Sequence, residues 1–382
     1  MKKKVVHIIS LSAIGGVQTS FVSYYNIAKN KSKYDHLIFS FNRLNEFFNI
    51  PKKKHKILNF NIFNWINLIF HICSKDSCIH FHNKLANKKI LILLKFLPCK
   101  KIIFHEYGSA WSSKSNSLKL YQKSEKISTT IIACSKAARI LLNKKFKISK
   151  NKIKVVYHTG LLKKNENLKL KDIRYSESFS VGFIGRFDSP KGVHLFVKVA
   201  KQLPKINFYL AGYGPLMKSL TIQSKGFKNI IFLGVKDPMD FIPRIDLLVV
   251  PSIREPLGNI VIEAGFCNKP VIASKVDGIT EIIKDSISGI LIEPKEKISL
   301  SNIPNSAAPV PKFRVDVEKN KILDAKQIKV DDLKQKILFL QKNEKLRKKI
   351  ANSLNQTVIK KFTIKSYFCS LEKIYDNINY NK

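Results

Sequence analysis

The sequence of 382 residues lacks any apolar run of the roughly 18–20 residues that a membrane-spanning helix needs. It starts with the basic stretch MKKKVVHIIS, but no small-residue cleavage pattern follows. We therefore expect a buried first strand there and not a signal peptide. The six cysteines are scattered, without the paired spacing of a zinc site. They indicate reduced, buried thiols in a cytosolic protein.

Acidic residues are also scarce. The sequence has 27 Asp and Glu against 69 Lys and Arg, which gives a net charge of +42. Residues 1–160 contain 30 basic and five acidic residues, so the excess is densest in the first half. Such a charge suits nucleic acid, an anionic membrane surface or an acidic small-molecule substrate. It equally suits an AT-rich genome that encodes lysine wherever lysine is tolerated. The chain has no helix-turn-helix, zinc-finger or RNP-like motif, so we expect no specific nucleic-acid partner.

What the sequence does contain is an alternation of short apolar runs and helical stretches, in a chain long enough for two domains. This alternation predicts βαβ units and parallel sheets that are covered on both faces. The strand-like runs of the first half are VVHIIS (5–10), HLIFSF (36–41), HKILNF (55–60), CIHFH (78–82), KIIFHE (101–106), TIIACS (130–135) and KVVYH (154–158). Those of the second half are SVGFIG (180–185), NFYLAG (207–212), NIIFLG (229–234), LLVVPS (247–252), PVIAS (270–274) and GILIEP (289–294).

The stretch PSIREPLGNIVIEAG, residues 251–265, contains two glutamates in different settings. Glu255 precedes a proline, which disfavours helix, so we expect it in a loop. A helix should begin near Gly258 or Asn259, with Glu263 near its first turn. The free N–H groups of that helix start form an anion site, and the flanking carboxylates suit sugar and ribose hydroxyls. The other interpretation is an incidental loop glutamate and a helix with an acidic first turn.

A second candidate is GRFDSPKG, residues 185–192, which directly follows a predicted strand. The guanidinium of Arg186 and the ammonium of Lys191 both suit phosphate oxygens. In so basic a chain, two solvated cations are the alternative interpretation. At the same sheet edge as the helix start, they would form a diphosphate clamp.

Weaker signals lie in the first half. Gly15 and Gly16 would let the backbone approach a ligand, although the GxGxxG pattern is absent and a simple turn is the alternative. His105 ends a strand and is a candidate for contacting a sugar hydroxyl or phosphate, with a structural role as the alternative. His80 and His82 alternate on one strand and face the same side, so we interpret them as structural.

Taken in order, GRFDSPKG, LAGYGPLMKSL, FLGVKDPMDFIPRIDLLVVPS, REPLGNIVIEAG and PVIASKVDGITEII resemble the C-terminal domain of family 4 retaining glycosyltransferases. The first half fits more loosely, through GGVQTSF, IHFHN, HEYG and IIACSKAAR. The segment YFCSLEKIYDNI is similar to the last helix of that family, which returns to the N-terminal domain. The resemblance implies the α/β GT-B fold, in which two Rossmann-like parallel-sheet domains face each other across a cleft.

The resemblance also implies roles for single residues. Glu255 would hold hydroxyls of the donor sugar, and Glu263 would hold the ribose. Arg186 and Lys191 would grip the diphosphate and stabilise the charge of the leaving nucleotide. The further residues implied near the donor are Leu257, Gly258 and Asn259 beside sugar and phosphate, His105 beside the sugar, and Gly16 beside the phosphate or acceptor. No DxD motif follows a suitable strand, so we expect neither an essential metal nor a cofactor, with a UDP-sugar as the favoured donor.

The expected domains are an acceptor-side domain over 1–165, a nucleotide-sugar domain over 166–358 and a returning helix over 359–382. Residues Thr159–Ser178 would form the linker. The Pro-, Ser- and Asn-rich segment 296–329 is expected to be an irregular insertion, where the chain departs from the family.

The expected function is retaining transfer of a sugar from a nucleotide-sugar to a bacterial surface glycan, such as the lipopolysaccharide core, O-antigen or a related lipid-linked acceptor. The alternative is a GT-B nucleotide-sugar binder or epimerase without transfer. The basic KKKHK (52–56), the aromatic stretch Phe60–Ile72 and Lys95–Lys101 favour a peripheral position on the anionic inner face of the membrane. For Phe60–Ile72, an ordinary buried helix is the alternative.

Overall fold

A computed structural model of the chain describes residues 2–13, 15–59, 61–83, 85–99, 101–112, 117–159, 174–300 and 303–380. The chain divides into two compact units, which we call unit 1 (residues 1–164 and 362–382) and unit 2 (residues 165–361). The predicted boundary between 165 and 166, and most of the predicted linker Thr159–Ser178, lie outside the described residues. The second division follows Lys361, where the prediction placed it after residue 358.

Unit 1 contains a seven-stranded, wholly parallel sheet in the order β3-β2-β1-β4-β5-β6-β7. The strands are β1 Lys4–Ile8, β2 Asp35–Ser40, β3 His55–Ile57, β4 Ser77–His82, β5 Ile102–Glu106, β6 Thr130–Ala133 and β7 Ile153–Val155. Every one of the seven predicted strand-like runs of this half forms a strand.

The helices of unit 1 cover both faces of this sheet, as a parallel sheet requires. They are α1 Gly16–Lys31, α2 Ile62–Cys73, α3 Lys88–Lys95, α4 Leu118–Ile127, α5 Lys136–Phe146 and, at the end of the chain, α13 Ile364–Tyr380. Short 3₁₀ turns lie at Lys52–Lys54, Ser109–Ser112 and Lys150–Lys152. The starts of three helices are fixed by side chains that accept the first free N–H groups, namely Asn61, Asn87 and Ser135.

The C-terminal helix α13 packs in unit 1 against α1 and the sheet. Leu371 and Tyr375 of α13 are fully buried beside Phe21 of α1. At the rim, the Glu372 carboxylate accepts a hydrogen bond from the Ser32 hydroxyl at 2.9 Å. The last helix is therefore part of the unit 1 core, although about 200 residues of unit 2 precede it in the chain.

Unit 2 contains a six-stranded parallel sheet in the order β10-β9-β8-β11-β12-β13. Its strands are β8 Ser180–Ile184, β9 Asn207–Ala211, β10 Ile230–Phe232, β11 Leu247–Val250, β12 Val271–Ser274 and β13 Ile290–Ile292. The central strands are short apolar runs such as LLVV, because both of their faces are covered. All six predicted strands are present.

The helices of unit 2 are α6 Val193–Lys201, α7 Met217–Gln223, α8 Pro238–Phe241, α9 Asn259–Phe266, α10 Ile279–Ile282, α11 Val330–Lys342 and α12 Glu344–Lys361, with 3₁₀ turns at Ser189–Lys191 and Ile242–Arg244. A core of buried side chains fills the space between α6, α11 and the sheet. Among the described helices of both units, none is long and apolar enough to cross a membrane.

The expectation of irregular structure over 296–329 is wrong for part of that segment. Strands β14 (Phe313–Asp316) and β15 (Lys321–Asp324) pair antiparallel as a hairpin. The sequence between them ends in Asn320, which adopts a left-handed conformation with φ of 50°, and asparagine tolerates this better than most residues. At the base of the segment, the backbones of Glu296 and Gln327 exchange two hydrogen bonds of 3.0 and 2.9 Å. The two ends of the insertion are thus held together, and the insertion contains a hairpin.

The strand order places a topological switch point in each unit. In unit 2, β8 lies between β9 and β11. The next strands, β9 and β10, are added on one side of β8, and β11 to β13 are added on the other. In unit 1, β1 holds the corresponding position between β2 and β4. Open α/β sheets bind ligands beyond the carboxyl ends of the strands at such points.

Candidate functional site

Two loops meet beyond the carboxyl ends of β8 and β11. The loop after β8 carries Lys191, and the loop after β11 carries Glu255. The Lys191 Nζ donates to Glu255 Oε2 at 2.7 Å. The Ser252 hydroxyl donates to the same carboxylate oxygen at 3.2 Å. Glu255 is 7% exposed and the Lys191 side chain 34%, so a buried carboxylate is paired with an ammonium that reaches solvent.

These two loops are in direct backbone contact. The Ile253 N–H donates to the carbonyl of Pro190 at 2.9 Å. Gly192 has a φ of 66°, and a Cβ added there would lie 1.9 Å from the Pro251 carbonyl oxygen. Only glycine fits such a position, because it combines a left-handed backbone with a close approach. The spacing of Lys191 from Glu255 is thus fixed by the backbone.

Arg186 extends from the same loop as Lys191, and its side chain is 63% exposed. Its Nε lies 3.1 Å from Asp188 Oδ2, and Asp188 itself is buried. The sequence predicted Arg186 and Lys191 as a diphosphate clamp, with two solvated cations as the alternative. Each one instead faces a carboxylate, so an incoming diphosphate would share or displace these partners.

The predicted helix start is confirmed, because α9 begins at Asn259 and Glu255 lies in the loop before it. Gly258 precedes it with a φ of 107°, and Leu257 is buried beneath. The first N–H groups of a helix have no intrahelical acceptor. The Asn259 side-chain oxygen is buried without a hydrogen-bond partner among the described residues. This helix start therefore offers backbone N–H donors to a ligand.

Glu263 is the fifth residue of α9, directly after its first turn, which agrees with the prediction. The side chain is half-buried, and burial raises the pKa of Glu263 to about 8, with the negative charges of Asp237 and Glu255 adding to the effect and Lys191 opposing it. A carboxyl group near neutrality can either accept or donate a hydrogen bond to a hydroxyl.

Two further residues at this site, Asp277 and Arg254, were not predicted. Asp277, after β12, is fully buried, and its Oδ2 accepts from the Glu255 N–H at 2.9 Å. Arg254 is mostly buried beside these acids. Burial lowers the pKa of Arg254, whereas Asp277, Glu255 and Asp188 raise it. Arg254 lies in the motif REPLG and Asp277 in the motif VDG. These two residues are close in space because β11 pairs with β12.

Two predicted site residues, Gly16 and His105, belong to unit 1. Gly16 is the first residue of α1, which follows β1 at the switch point of that sheet. His105 is fully buried, and its ring stacks on Tyr107 with centroids 3.8 Å apart. The predicted contact of His105 with a donor sugar is not supported, because the side chain has no exposed atom. Its neighbour Glu106 is structural, since its carboxylate accepts from the Gly108 and Ala110 N–H groups at 2.6 and 2.9 Å.

His105 is part of a buried polar cluster on the face of the unit 1 sheet that α1 and α13 cover. The members joined by ring contacts or hydrogen bonds are His7, His36, His80, His82, His105, Tyr107 and Tyr375. One ring nitrogen from each of His7, His80 and His82 lies within 4.8 Å of the others. The rings of His80 and His82, however, stack at 4.1 Å and nearly parallel, so their lone pairs do not converge on one ion. Burial lowers the pKa of all three, which keeps the cluster neutral.

Residues 178–302 match the family described as glycosyl transferases group 1. An uncharacterized glycosyltransferase of Methanocaldococcus jannaschii is 31% identical over 216 residues, which are 55% of this chain and 52% of that protein. This part of unit 2 is therefore similar to the group 1 glycosyltransferases. The chain spans about half the length of this relative. The matched region carries all of the site residues of unit 2 and ends before the hairpin β14–β15.

Solved structures show that the chain has the GT-B fold. HepE of Anabaena, in complex with UDP-glucose, is 16% identical with a TM-score of 0.71, and the match covers 98% of this chain and 99% of HepE. WaaG, a glycosyltransferase involved in lipopolysaccharide biosynthesis, is 13% identical with a TM-score of 0.65 over 99% of this chain and 100% of WaaG. Both likenesses extend over the two units, so the predicted fold class is confirmed.

Proposed function

We propose that the protein transfers a sugar, with retention of anomeric configuration, from a nucleotide-sugar to a bacterial surface glycan or its lipid-linked precursor. The observation that carries this proposal is the pair of Lys191 and Glu255, held 2.7 Å apart at the switch point of unit 2. A carboxylate suits sugar hydroxyls and an ammonium suits a phosphate, so the pair fits the two halves of such a donor at their junction.

In the proposed reaction, the bond between the anomeric carbon and the phosphate oxygen breaks, and the acceptor oxygen bonds to the same carbon on the same face. The acceptor proton passes to the leaving phosphate. Lys191 and Arg186 stabilise the negative charge that develops on the leaving diphosphate, together with the start of α9. Glu255 orients the sugar through its hydroxyls, and Glu263 binds the ribose.

A UDP-sugar is the first donor to test. HepE, which shares the fold, was solved with UDP-glucose, and this supports uridine as the base. Nothing in the proposed chemistry requires a metal or a cofactor, because two cationic side chains take the role of charge neutralisation. Transfer is therefore expected to continue in EDTA.

Unit 1 is proposed to bind the acceptor. A cavity of about 1040 Å³ lies beyond the ends of β2 and β3. Its polar lining is basic and amide-bearing, with Arg43, Lys52, His55, Lys56, Asn59, Asn61 and Asn64. Cations suit phosphates and amides suit hydroxyls, so this lining fits a phosphate-bearing glycan. The name of WaaG, which places that protein in lipopolysaccharide biosynthesis, supports an acceptor of this class.

The neighbouring helix α2 is proposed to rest on the cytoplasmic face of the membrane. Phe63, Ile66 and Phe70 are spaced three and four residues apart, and they are 78%, 57% and 67% exposed. The other side of the helix carries the buried residues Leu68, His71 and Ile72, so α2 is buried on one face and exposed on the other. Exposed aromatic side chains beside the lysines 52–54 suit an anionic lipid surface, where burial and charge attraction act together.

The proposal is tested with a panel of UDP-, GDP- and ADP-sugars, by following donor hydrolysis and transfer to extracted lipid-linked glycans. The wild type should turn over at least one donor, with and without EDTA. Glu263→Ala should lose donor binding. An anomeric product of inverted configuration would refute retention, and donor binding without any turnover would favour the alternative, a nucleotide-sugar binder.

A further inference from the structure

The insertion of residues 296–329 touches the donor loops of unit 2 at two buried aspartates, Asp188 and Asp277. Asp188 is 5% exposed and Asp277 is fully buried. Each carboxylate accepts one backbone N–H from a donor loop and one from the insertion. The same arrangement therefore occurs twice, at two separate points of the segment.

The first contact joins the insertion to the loop that carries Arg186 and Lys191. Asp188 Oδ1 accepts from the Ser189 N–H at 2.9 Å and from the Ala308 N–H at 2.8 Å. The Ser189 hydroxyl donates in turn to the carbonyl of Ala308. Both backbone polar groups of Ala308 are thus bound by the loop after β8.

The second contact joins the hairpin to the loop that carries Glu255. Asp277 Oδ2 accepts from the Glu255 N–H at 2.9 Å, and Asp277 Oδ1 accepts from the Val315 N–H at 2.7 Å. The Asp277 N–H donates to the Val315 carbonyl at 3.2 Å. Val315, in β14, therefore directs both of its backbone polar groups to Asp277 and away from β15.

Asp277 adopts a backbone conformation that aspartate rarely takes, with φ of 41°. A backbone conformation of this kind is unfavourable and needs surrounding contacts to stabilise it. The three hydrogen bonds to Glu255 and Val315 are such contacts. Further contacts hold the hairpin at this place. Arg314 donates to the Lys275 carbonyl at 3.2 Å and to the Glu293 carboxylate at 2.6 Å.

We propose that the insertion is a positioning element of the donor site, with Asp277 and Asp188 as its positioning residues. Asp277 links the backbone of Glu255 to Val315, and Asp188 links the loop of Arg186 and Lys191 to Ala308. The insertion thereby fixes the spacing between the group that holds the sugar and the groups that hold the diphosphate. This inference rests on the proposed function of the same site.

The test compares Asp277→Asn and Asp188→Ala with Asp316→Asn. An asparagine has one carbonyl oxygen, so at 277 it can accept from Glu255 or from Val315 but not from both in the present geometry. Asp316 is the matched control, because among the described residues its carboxylate accepts a hydrogen bond from the Lys319 N–H, within the hairpin turn, and from no residue of a donor loop. Val315→Pro removes the hydrogen bond between the Val315 N–H and Asp277 Oδ1 by changing the insertion instead of Asp277. The pairing of β14 with β15 does not use the Val315 N–H.

Donor turnover and the dissociation constant of free UDP are measured for each variant, together with the melting temperature. We expect kcat/KM for the donor to fall about 10- to 100-fold in Asp277→Asn and Val315→Pro, because misplaced contacts cost rate. Binding of UDP should change less than about threefold, since the nucleotide does not contact Glu255. The double variant Asp277→Asn/Val315→Pro should have a kcat/KM no lower than that of the more impaired single variant, because both changes remove the same interaction.

Wild-type kinetics in Asp277→Asn, Asp188→Ala and Val315→Pro, with active wild type, would overturn the inference and leave the proposed function standing. A fall in kcat/KM that matches the loss of folded protein, with additive effects in the double variant, would also overturn it. A wild type that turns over no nucleotide-sugar would instead refute the proposed function.

Discussion

The two units share a parallel sheet with helices on both faces, yet they bury polar side chains in different places. Unit 1 buries neutral histidines and tyrosines in the layer between the sheet and α13, such as the pair of His80 and Tyr375 at 2.8 Å. Unit 2 holds charged side chains at the carboxyl ends of its strands, such as Lys191 and Glu255. Polar groups inside a packed layer stabilise the fold, whereas those at strand ends remain accessible to a ligand.

The largest expected effect comes from Lys191→Ala. Removing the ammonium should lower kcat/KM for the donor about 100- to 1000-fold, because a fixed charge then no longer stabilises the leaving diphosphate. Lys218→Ala, at an exposed position of α7, is the matched control. Activity of Lys191→Ala within about threefold of the wild type would remove the basis for the contrast between the units.

His80→Ala tests the opposite side of the comparison. The change should lower the free energy of unfolding by about 2–4 kcal/mol, because it leaves a cavity and removes the partner of Tyr375. Urea unfolding measures this, with the exposed Lys75→Ala as control. Donor affinity should stay within about twofold at a temperature where the variant is folded. Loss of donor binding by folded His80→Ala would show that the cluster is more than structural.

Glu263 predicts a pH-dependent contribution to the stability of unit 2. The native pKa is raised to about 8 from the usual 4.5, so between these values the folded state holds a proton that the unfolded state has lost. This contribution should therefore decrease as the pH rises through this window, by at most about 1.4 kcal/mol per pH unit, and level off above it. Glu263→Gln should remove it, whereas Glu177→Gln, at an exposed position, should not. A difference in stability between the wild type and Glu263→Gln that is constant with pH, or that moves in favour of the wild type as the pH rises, contradicts this prediction.

The smallest expected effect concerns the outer surface of unit 1. Phe63→Ser should weaken binding to vesicles that contain phosphatidylglycerol about fivefold, or about 1 kcal/mol, because one aromatic side chain no longer inserts. Ile222→Ser changes a side chain of unit 2 that is 65% exposed and should have no effect. Co-sedimentation measures both variants, and equal binding of Phe63→Ser and wild type argues against docking through α2.

Much of the fold follows from local sequence. Alternating apolar runs predict all thirteen strands of the two parallel sheets, because a strand buried on both faces must be apolar throughout. The start of α9 was predictable because Pro256 and Gly258 act on the adjacent backbone. The hairpin β14–β15 was missed, because its polar strands obtain their partners from Asp277 and Glu293, which lie outside the segment.

The sequence by itself determined the kinds of side chain at the site and the strand ends on which they lie. Chemical identity and local backbone preference suffice for that, as with Arg186, Lys191 and Glu255. Only the tertiary structure decided which groups meet. It paired Lys191 with Glu255, joined Asp277 to Val315, and buried His105 instead of exposing it. These contacts depend on strand order and on layers that close over long sequence separations, and no local pattern specifies them.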